Sequence, residues 1–264
     1  MRESLLEVLR CPRCRAAASF DVDVQVRSSS EIRDGRVSCR QCGLQGPIQA
    51  GIVDLLYDPP DFVVREAAGL ARFAEAMRAD GWDRERIRQL PNLPLGYWVE
   101  QERAMRYVLT TVPFRRGDRL LDVGANTCWA SNIFARQGLE VVALDIATTE
   151  LQGLRTADYF LDDGEVYFER VLSAMFAPAF SDASFDYVFC CQTMHHNDPE
   201  NLKRTMREVH RILRPGGRLL MVNEPLRFPL RPKRRHAEDV ACYEGNEHVY
   251  FLHEYRRAAR QAGF

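Results

Sequence analysis

The chain has 264 residues, of which 46% are hydrophobic and 28% are charged, and its formal net charge is −1. This composition is typical of a folded, water-soluble protein with one full domain and a smaller one, and the near-zero net charge excludes a strong global attraction to nucleic acid. No apolar run approaches the length of a membrane span, and Arg2, Glu3 and Glu7 make the N-terminus unlike a signal peptide, so we predict a cytoplasmic protein.

Four of the eight cysteines form two C-x-x-C pairs, Cys11 with Cys14 and Cys39 with Cys42, and 24 residues separate the pairs. Two such pairs supply four thiolates at the spacing of a tetrahedral zinc site. The alternative is four buried or disulfide-bonded cysteines, but the paired spacing and a reducing compartment favour zinc. Four cysteine ligands close the coordination sphere, so the predicted site is structural.

Residues 1–57 form the first predicted unit. Between the cysteine pairs, residues 20–26 alternate between apolar and polar side chains, which predicts a strand. The unit resembles the small zinc-ribbon activator proteins that partner methyltransferases in translation, and the resemblance covers residues 1–56. It implies a ribbon fused to its catalytic partner. Residues 1–60 hold eight arginines and eight acidic residues, so we favour a docking or stabilising role over binding to nucleic-acid phosphates.

The sequence of residues 58–115 predicts a linker followed by a helical segment. The Asp58-Pro59-Pro60 stretch is stiff, and Asp61 is a candidate helix N-cap. Apolar residues follow at helical spacing, and a further helix is expected from about residue 98 to residue 110. The expected buried stripe of the first helix is Val63, Ala67, Leu70, Ala74 and Met77.

The stretch from Arg119 to Ile146 predicts a strand, a turn, a helix and a second strand that ends at Asp145. Such a unit binds an adenosine-like ligand over the carboxyl ends of its strands, where turn amides face the ligand and the carboxylate accepts from ribose hydroxyls. A dinucleotide fingerprint that starts at Gly124 needs glycines at the positions of Asn126 and Trp129. The sequence therefore disfavours a dehydrogenase. Residues 151–161 are expected to form the next helix.

The same stretch resembles the first motif of the class I S-adenosylmethionine-dependent methyltransferases, an acidic residue followed by x-G-x-G-x-G. Asp122 and Gly124 match this motif, whereas Asn126 and Cys128 replace its later glycines. Asn tolerates a positive φ better than most residues, so the turn can survive. The resemblance continues through the strand pattern of residues 184–189, the following Met194-His195-His196 and residues 213–222, and it covers residues 116–224 in the order and spacing of the family.

This resemblance implies an α/β fold in which residues 116–264 form a Rossmann-like, doubly wound sheet, preceded by the zinc ribbon and the helical segment. Residues 58–115 would then be a lid over cofactor and acceptor, with Tyr97 and Trp98 as candidate lid residues, or plain packing helices. The family fold normally continues into an antiparallel strand pair beside its fifth strand, which corresponds here to residues 213–222. The chain ends at Phe264 before such a pair, so we expect the natural chain to be longer.

The resemblance also implies S-adenosylmethionine as the cofactor. The cofactor-binding residues that it implies are Asp122, Gly124, Asn126, Asp145, Ile146, Ala174, Met175 and Gln192. Asp145 would bind the ribose hydroxyls. Related enzymes often place an acidic residue on the adenine amine, but this chain has Ser173-Ala174-Met175 there, so we expect backbone groups near Ala174 to replace it.

Candidate catalytic residues follow the two strands predicted at residues 184–189 and 213–222. A general base is needed only if the acceptor is protonated, and His195, His196 and Glu224 are the candidates, with His248 as a further one. The alternative is that one histidine is packed in the core and the other merely lines the cleft.

Three functions remain open: a methyltransferase for a sugar, lipid-linked or other small metabolite, a tRNA or rRNA methyltransferase, and a non-catalytic relative that only binds ligand. The paired histidines and the near-zero net charge of the ribbon favour the small-molecule methyltransferase. A run of cations is either a solvated loop or a binding loop for phosphate, pyrophosphate or RNA, so the small molecule could be phosphorylated. These cations are Arg227, Arg231, Lys233, Arg234 and Arg235.

Overall fold

The computed structural model describes residues 1–28, 31–162, 164–228 and 246–264. The strands of these ranges are β1 (Phe20–Arg27), β2 (Ile32–Cys39), β3 (Gln45–Gln49), β4 (Ile52–Asp54), β5 (Arg119–Val123), β6 (Glu140–Asp145), β7 (Glu169–Leu172), β8 (Phe185–Cys191) and β9 (Leu213–Val222). Together they form one continuous sheet in the order β1-β2-β3-β4-β7-β6-β5-β8-β9.

The α-helices of the same ranges are α1 (Asp61–Ala79), α2 (Arg84–Arg88), α3 (Gly96–Thr111), α4 (Trp129–Arg136), α5 (Asp158–Leu161), α6 (Pro199–Ile212) and α7 (Leu252–Ala262). Short 3₁₀ helices cover Glu3–Glu7, Leu154–Ala157 and Met194–His196. No helix in the described ranges is both long and apolar enough to cross a membrane.

The five strands from β7 to β9 run parallel and confirm the predicted α/β, Rossmann-like sheet. Most of their buried residues are apolar on both faces, as expected for strands covered by helices on either side. β5 lies between β6 and β8, with Asp122 paired to Ala143 on one side and to Phe189 on the other. The direction of the strand order reverses at β5, so ligands are expected beyond its carboxyl end.

The predicted ribbon, residues 1–57, contributes strands to the same sheet. Its strands β1 to β4 are antiparallel, and β4 then pairs in parallel with β7, where Val53 lies opposite Val171. The bridge between Leu9 and Phe180 adds a second connection. One hydrophobic cluster therefore contains ribbon residues and residues of the parallel strands, and the ribbon covers what would otherwise be an open edge of β7.

The helical segment α1–α3 packs on the other face of the parallel strands. Most of the predicted α1 stripe is buried, but Asp61 does not cap this helix, because α1 begins at Asp61 itself and Pro60 occupies the N-cap position. Of the two candidate lid residues, Trp98 packs edge-on against Trp129 with ring centroids 6.1 Å apart, whereas Tyr97 is 52% exposed.

Residues 151–161 do not form one continuous helix as expected. A 3₁₀ turn over Leu154–Ala157 precedes the short helix α5. The reason lies at Gly153, whose backbone is extended and packs so closely that an added Cβ would lie 2.7 Å from the carbonyl oxygen of Ala147. A helix that begins at residue 151 cannot pass through this position.

Candidate cofactor and acceptor site

The turn after β5 is built from left-handed residues. Gly124 has φ +67°, and a Cβ added there would lie only 2.4 Å from Cγ2 of Thr193, so both the backbone and the close approach require glycine. Asn126 and Cys128 have φ values of +46° and +57°. The two residues that replace the expected glycines therefore keep the left-handed conformation.

Asp145, at the carboxyl end of β6, faces this turn. Its Oδ2 accepts a hydrogen bond of 2.8 Å from the Asn126 amide, and its Oδ1 accepts from the amides of Ile146 and Ala147. Burial raises the pKa of Asp145 to about 6, against the opposing effect of these backbone hydrogen bonds. A carboxylate offers roughly four acceptor positions, so three accepted bonds leave capacity for one more donor, such as a hydroxyl group.

Asp122 supports the turn after β5 from a buried position within that strand. It is 2% exposed, and its Oδ2 accepts a 2.6 Å hydrogen bond from the Ser131 hydroxyl in the first half of α4. Burial raises the pKa of Asp122 to about 7. This geometry fits the predicted role of shaping the turn, because the hydrogen bond ties α4 to β5.

The other predicted cofactor residues lie at the carboxyl ends of neighbouring strands. Ala174 and Met175 follow β7, and Ile146 packs against an apolar cluster that contains Ala174. Ser173 donates its amide to the Asp145 carbonyl oxygen at 3.0 Å, which ties the end of β7 to the end of β6. Gln192 follows β8 with φ +52°. The sheet therefore gathers the ends of β5, β6, β7 and β8 along one edge.

His195 is held between two carboxylates just beyond β8. Its Nδ1 lies 2.9 Å from Oε2 of Glu224, at the end of β9, and its Nε2 lies 3.6 Å from Oε1 of Glu247. Burial lowers the pKa of His195, but the hydrogen bonds with Glu224 and Glu247 outweigh this effect and raise the pKa to about 9. His195 and Glu224 therefore form a charged pair at neutral pH, and a protonated imidazole is a poor general base.

His196 lies beside His195 but pairs with a different element. The two imidazole centroids are 4.3 Å apart, and Nδ1 of His196 lies 3.1 Å from Oε1 of Glu66 on α1. The structure thus brings the predicted His195, His196 and Glu224 together, while His248 contributes its backbone amide to the His195 carbonyl oxygen.

Sequence reasoning missed Glu66 and Glu247 in this cluster. Glu66 did leave a signal, because it stands between Val63 and Leu70 on the buried stripe of α1, where a carboxylate needs a partner. Glu247 lies in a stretch without a periodic pattern, next to His248, and nothing in its local sequence distinguishes it.

The four cysteines of the ribbon converge as predicted. The Sγ atoms of Cys11 and Cys42 lie 3.6 Å apart, as do those of Cys14 and Cys39, and all four sulfurs lie within 4.8 Å of one another. These distances exclude disulfides, whose sulfurs lie about 2.05 Å apart. Thiolates at about 2.3 Å from a tetrahedral zinc ion would lie about 3.8 Å apart, so the cluster fits such an ion.

Of the predicted run of five cations, Arg227 lies within the described residues, and its guanidinium lies over the ring of Phe251. The other four lie outside the described residues; they are Arg231, Lys233, Arg234 and Arg235. A different basic surface was not foreseen. On α7, an open groove of about 430 Å³ is lined by His253, Arg256, Arg257, Arg260 and Gln261.

Comparison with known proteins bears on residues 121–221, which match the family model described as a methyltransferase domain. The 27-O-demethylrifamycin SV methyltransferase of Amycolatopsis mediterranei is 32% identical over 187 residues, which are 65% of this chain and 66% of that protein. The malonyl-[acyl-carrier protein] O-methyltransferase of Erwinia billingiae is 32% identical over 109 residues, which are 40% of this chain and 39% of that one. The chain thus spans about two thirds of the first relative and well under half of the second.

Among solved structures, a chain from the complex between the Haloferax volcanii Trm112 methyltransferase activator and a methyltransferase is similar. It is 20% identical, with a TM-score of 0.51, over 77% of this chain and 76% of that one. At this identity the similarity establishes a shared fold only.

Proposed function

We propose that this chain, whose residues 121–221 match the methyltransferase-domain model, transfers the methyl group of S-adenosylmethionine to a small molecule. The observation that carries the proposal is the contact between Asp145 and Asn126, which places a carboxylate at the end of β6 against the left-handed turn after β5. This is the geometry that binds an adenosine-like ligand. Three of the curated relatives are named for small molecules, 27-O-demethylrifamycin SV, ubiquinone and demethylmenaquinone, which supports this substrate class.

S-adenosylmethionine supplies an activated methyl group, so the protein has to bind the cofactor, exclude water and align the acceptor. We assign the ribose hydroxyls to Asp145 and the methionine end to the turn at Gly124 and Asn126. The adenine would rest against Ile146 and the backbone at Ala174. The side chain of Ser173 cannot replace the missing acid, because its hydroxyl is engaged with Ala177 and Ala179 in its own loop.

We assign the methyl acceptor to the histidine cluster. Thr193, which contacts Gly124, immediately precedes the Met194–His196 turn, so this cluster adjoins the methionine end of the proposed cofactor site. A hydroxyl acceptor must lose a proton when it is methylated, so the site must supply either a base or a cation that acidifies the hydroxyl. We assign direct removal of the proton to the His196–Glu66 pair, because both ring nitrogens of His195 face carboxylates.

We further propose that Cys11, Cys14, Cys39 and Cys42 bind one structural zinc ion. Four free thiols that converge on one point fit this ion, and such a site requires a reducing compartment such as the cytoplasm. The ion would stabilise the ribbon and, through the β4–β7 pairing, the edge of the parallel sheet.

Calorimetric titration with S-adenosylhomocysteine tests the cofactor site. Asp145→Ala is expected to weaken binding at least tenfold, whereas Asp23→Ala, which removes an exposed carboxylate from β1 at the far edge of the sheet, should leave the affinity unchanged. Equal affinities of the two variants would refute the ribose assignment. Absence of binding by the folded, zinc-loaded protein would instead favour a non-catalytic role.

Labelled methyl transfer into fractionated cell extract tests the acceptor class. Label in small-molecule or lipid fractions that resist ribonuclease would support the proposal. An RNA methyltransferase is the second candidate, because the basic groove of α7 suits an anionic polymer. If RNA is the acceptor, replacing Arg256, Arg257 and Arg260 by glutamate should abolish labelling, whereas transfer to a small molecule should persist in this variant.

A further inference from the structure

Two histidines and three glutamates meet beyond the carboxyl ends of β8 and β9. Within this cluster, one ligand atom each from His195, His196 and Glu247 lie within 4.8 Å of one another. We propose that these three residues bind a divalent transition-metal ion on the acceptor side of the cofactor site. The proposed ion is distinct from the zinc of the ribbon.

The first argument is that each histidine has a carboxylate behind it. Glu224 lies 2.9 Å from Nδ1 of His195, and Glu66 lies 3.1 Å from Nδ1 of His196. For His195 this leaves Nε2 on the side of Glu247, 3.6 Å away, where a bound ion would displace the ring proton. Metal-binding histidines almost always donate their second ring N–H to such a carboxylate, which fixes the orientation of the ring. The cluster contains this hydrogen bond at His195, and at His196 it places the Glu66 carboxylate beside the ring as an ion-pair partner.

The second argument is that the carboxylates behind the histidines are themselves held in place. Glu224 accepts hydrogen bonds of 2.9 Å from the amides of Thr193 and Met194, and Glu66 accepts a 2.6 Å bond from the side chain of Asn246. The supports come from α1, from the turn after β8, from the end of β9 and from residues 246–247. A cluster fixed from four parts of the chain is preorganised for a ligand, in contrast to a group of surface side chains.

The third argument is charge. Glu66, Glu224 and Glu247 place three carboxylates around two imidazoles, and their side chains are 9%, 6% and 18% exposed. A divalent cation among them would balance carboxylates that are held close together and largely away from water. Imidazole ligands suit ions such as Fe²⁺, Ni²⁺ and Zn²⁺, and a carboxylate also suits Mn²⁺, so a set of two imidazoles and one carboxylate favours a transition-metal ion.

A role for the ion follows if the proposed methyl transfer is correct. Bound to an acceptor hydroxyl, the ion would lower the hydroxyl pKa, so the proton leaves to water before transfer. The oxygen then attacks the methyl carbon, the carbon–sulfur bond breaks, and its electron pair stays on sulfur. The acceptor class implied is a small molecule that presents an ionisable hydroxyl to a metal ion.

The ion can be tested without any acceptor. Zinc-loaded protein is titrated with Mn²⁺, and free Mn²⁺ is followed by electron paramagnetic resonance, because thiolate sites disfavour this harder ion. We expect one Mn²⁺ per chain. Glu247→Gln, which replaces a partly exposed ligand, should weaken binding at least tenfold, and Glu66→Gln should weaken it by roughly 10- to 100-fold through His196. Glu140→Gln, an exposed change at the opposite end of β6, should have no effect.

The outcomes separate this inference from the proposed function. Binding of S-adenosylhomocysteine without any Mn²⁺ binding would overturn the metal site and leave the methyltransferase proposal intact. Mn²⁺ affinity that is equal in the Glu247→Gln, Glu66→Gln and Glu140→Gln proteins would place the ion elsewhere and also overturn the inference. Binding of a small organic ammonium ion without any binding of Mn²⁺ would also overturn the metal site, and it would point to a cationic acceptor.

Discussion

Glu31 and Arg170 form an ion pair inside the protein, with side-chain exposures of 5% and 0%. Glu31 immediately precedes β2 of the ribbon, whereas Arg170 lies on β7 of the parallel sheet, and its guanidinium also donates to Asp158 at 2.8 Å. The ribbon thus supplies the counter-ion of a cation buried in the sheet that carries the proposed cofactor site. Polar contacts as well as strand pairing make the two units one structure.

We expect Glu31→Gln to lower the free energy of unfolding by about 3–5 kcal/mol, because the change leaves the Arg170 charge buried without its main partner. The matched control is Glu3→Gln, since Glu3 pairs with Arg27 at the surface, where both side chains are more than half exposed. Exposed pairs contribute about 0–1 kcal/mol. Urea unfolding of the three proteins measures the difference, and similar losses for both variants would contradict the prediction.

The same pair predicts a loss of stability in acid. Burial raises the pKa of Glu31, but the charges of Arg170 and the N-terminal ammonium, together with hydrogen bonds from Arg170 and Arg33, outweigh this effect and lower the pKa to about 2. The usual value is about 4.3, so this carboxylate stabilises the fold fully above about pH 4.3 and its contribution disappears as the pH falls toward 2. Unfolding free energies between pH 6 and pH 2.5 should fall more steeply for the natural protein than for Glu31→Gln. Parallel curves would show that Glu31 is not the group responsible.

Removal of zinc should weaken cofactor binding as well as the ribbon. Val53 of β4 pairs with Val171 of β7, and the proposed adenine contacts begin just after β7, at Ala174. We expect Cys39→Ser to lose the zinc, melt the ribbon and reduce affinity for S-adenosylhomocysteine, because metal binding and folding of such ribbons are coupled. Cys191→Ser removes a thiol that is not in the cluster and should keep both. Unchanged affinity in a zinc-free protein would show that β7 does not need the ribbon.

Much of the parallel sheet could be predicted because its signals are local. The apolar run before Gly124, the helical spacing after it and the acidic end of β6 are all contained in 28 consecutive residues, Arg119 to Ile146. The start of α6 also depends on local features, since the Asp198 side chain accepts hydrogen bonds from the amides of Glu200 and Asn201 and Pro199 follows it. Such patterns involve residues that are close together in the sequence, so they can be recognised without knowledge of the tertiary structure.

What the sequence could not provide depends on contacts between distant segments. The pairing of β4 with β7 joins residues more than a hundred positions apart, and a three-residue strand such as β4 has no pattern that selects its partner. Glu66 meets His196, and Glu247 meets His195, only because α1 and the stretch before α7 fold over the same edge of the sheet. The predicted helix over residues 151–161 was wrong for a different reason, because Gly153 packs closely on Ala147 in a loop contact that no periodic pattern reveals.

Cys128 provides a test of the altered glycine motif. It is fully buried at the N-cap of α4 with φ +57°, a conformation that most side chains disfavour and that β-branched residues avoid. We expect Cys128→Gly to stay within about 1 kcal/mol of the natural protein, because relief of backbone strain offsets the lost side-chain packing. Cys128→Val should cost at least about 2 kcal/mol and weaken S-adenosylhomocysteine binding, since valine would force the turn away from Asp145. Thermal unfolding and calorimetry distinguish the variants. If valine is tolerated as well as glycine in both measurements, the turn does not depend on a left-handed residue at this position, and the match to the glycine-rich motif ends at Asn126.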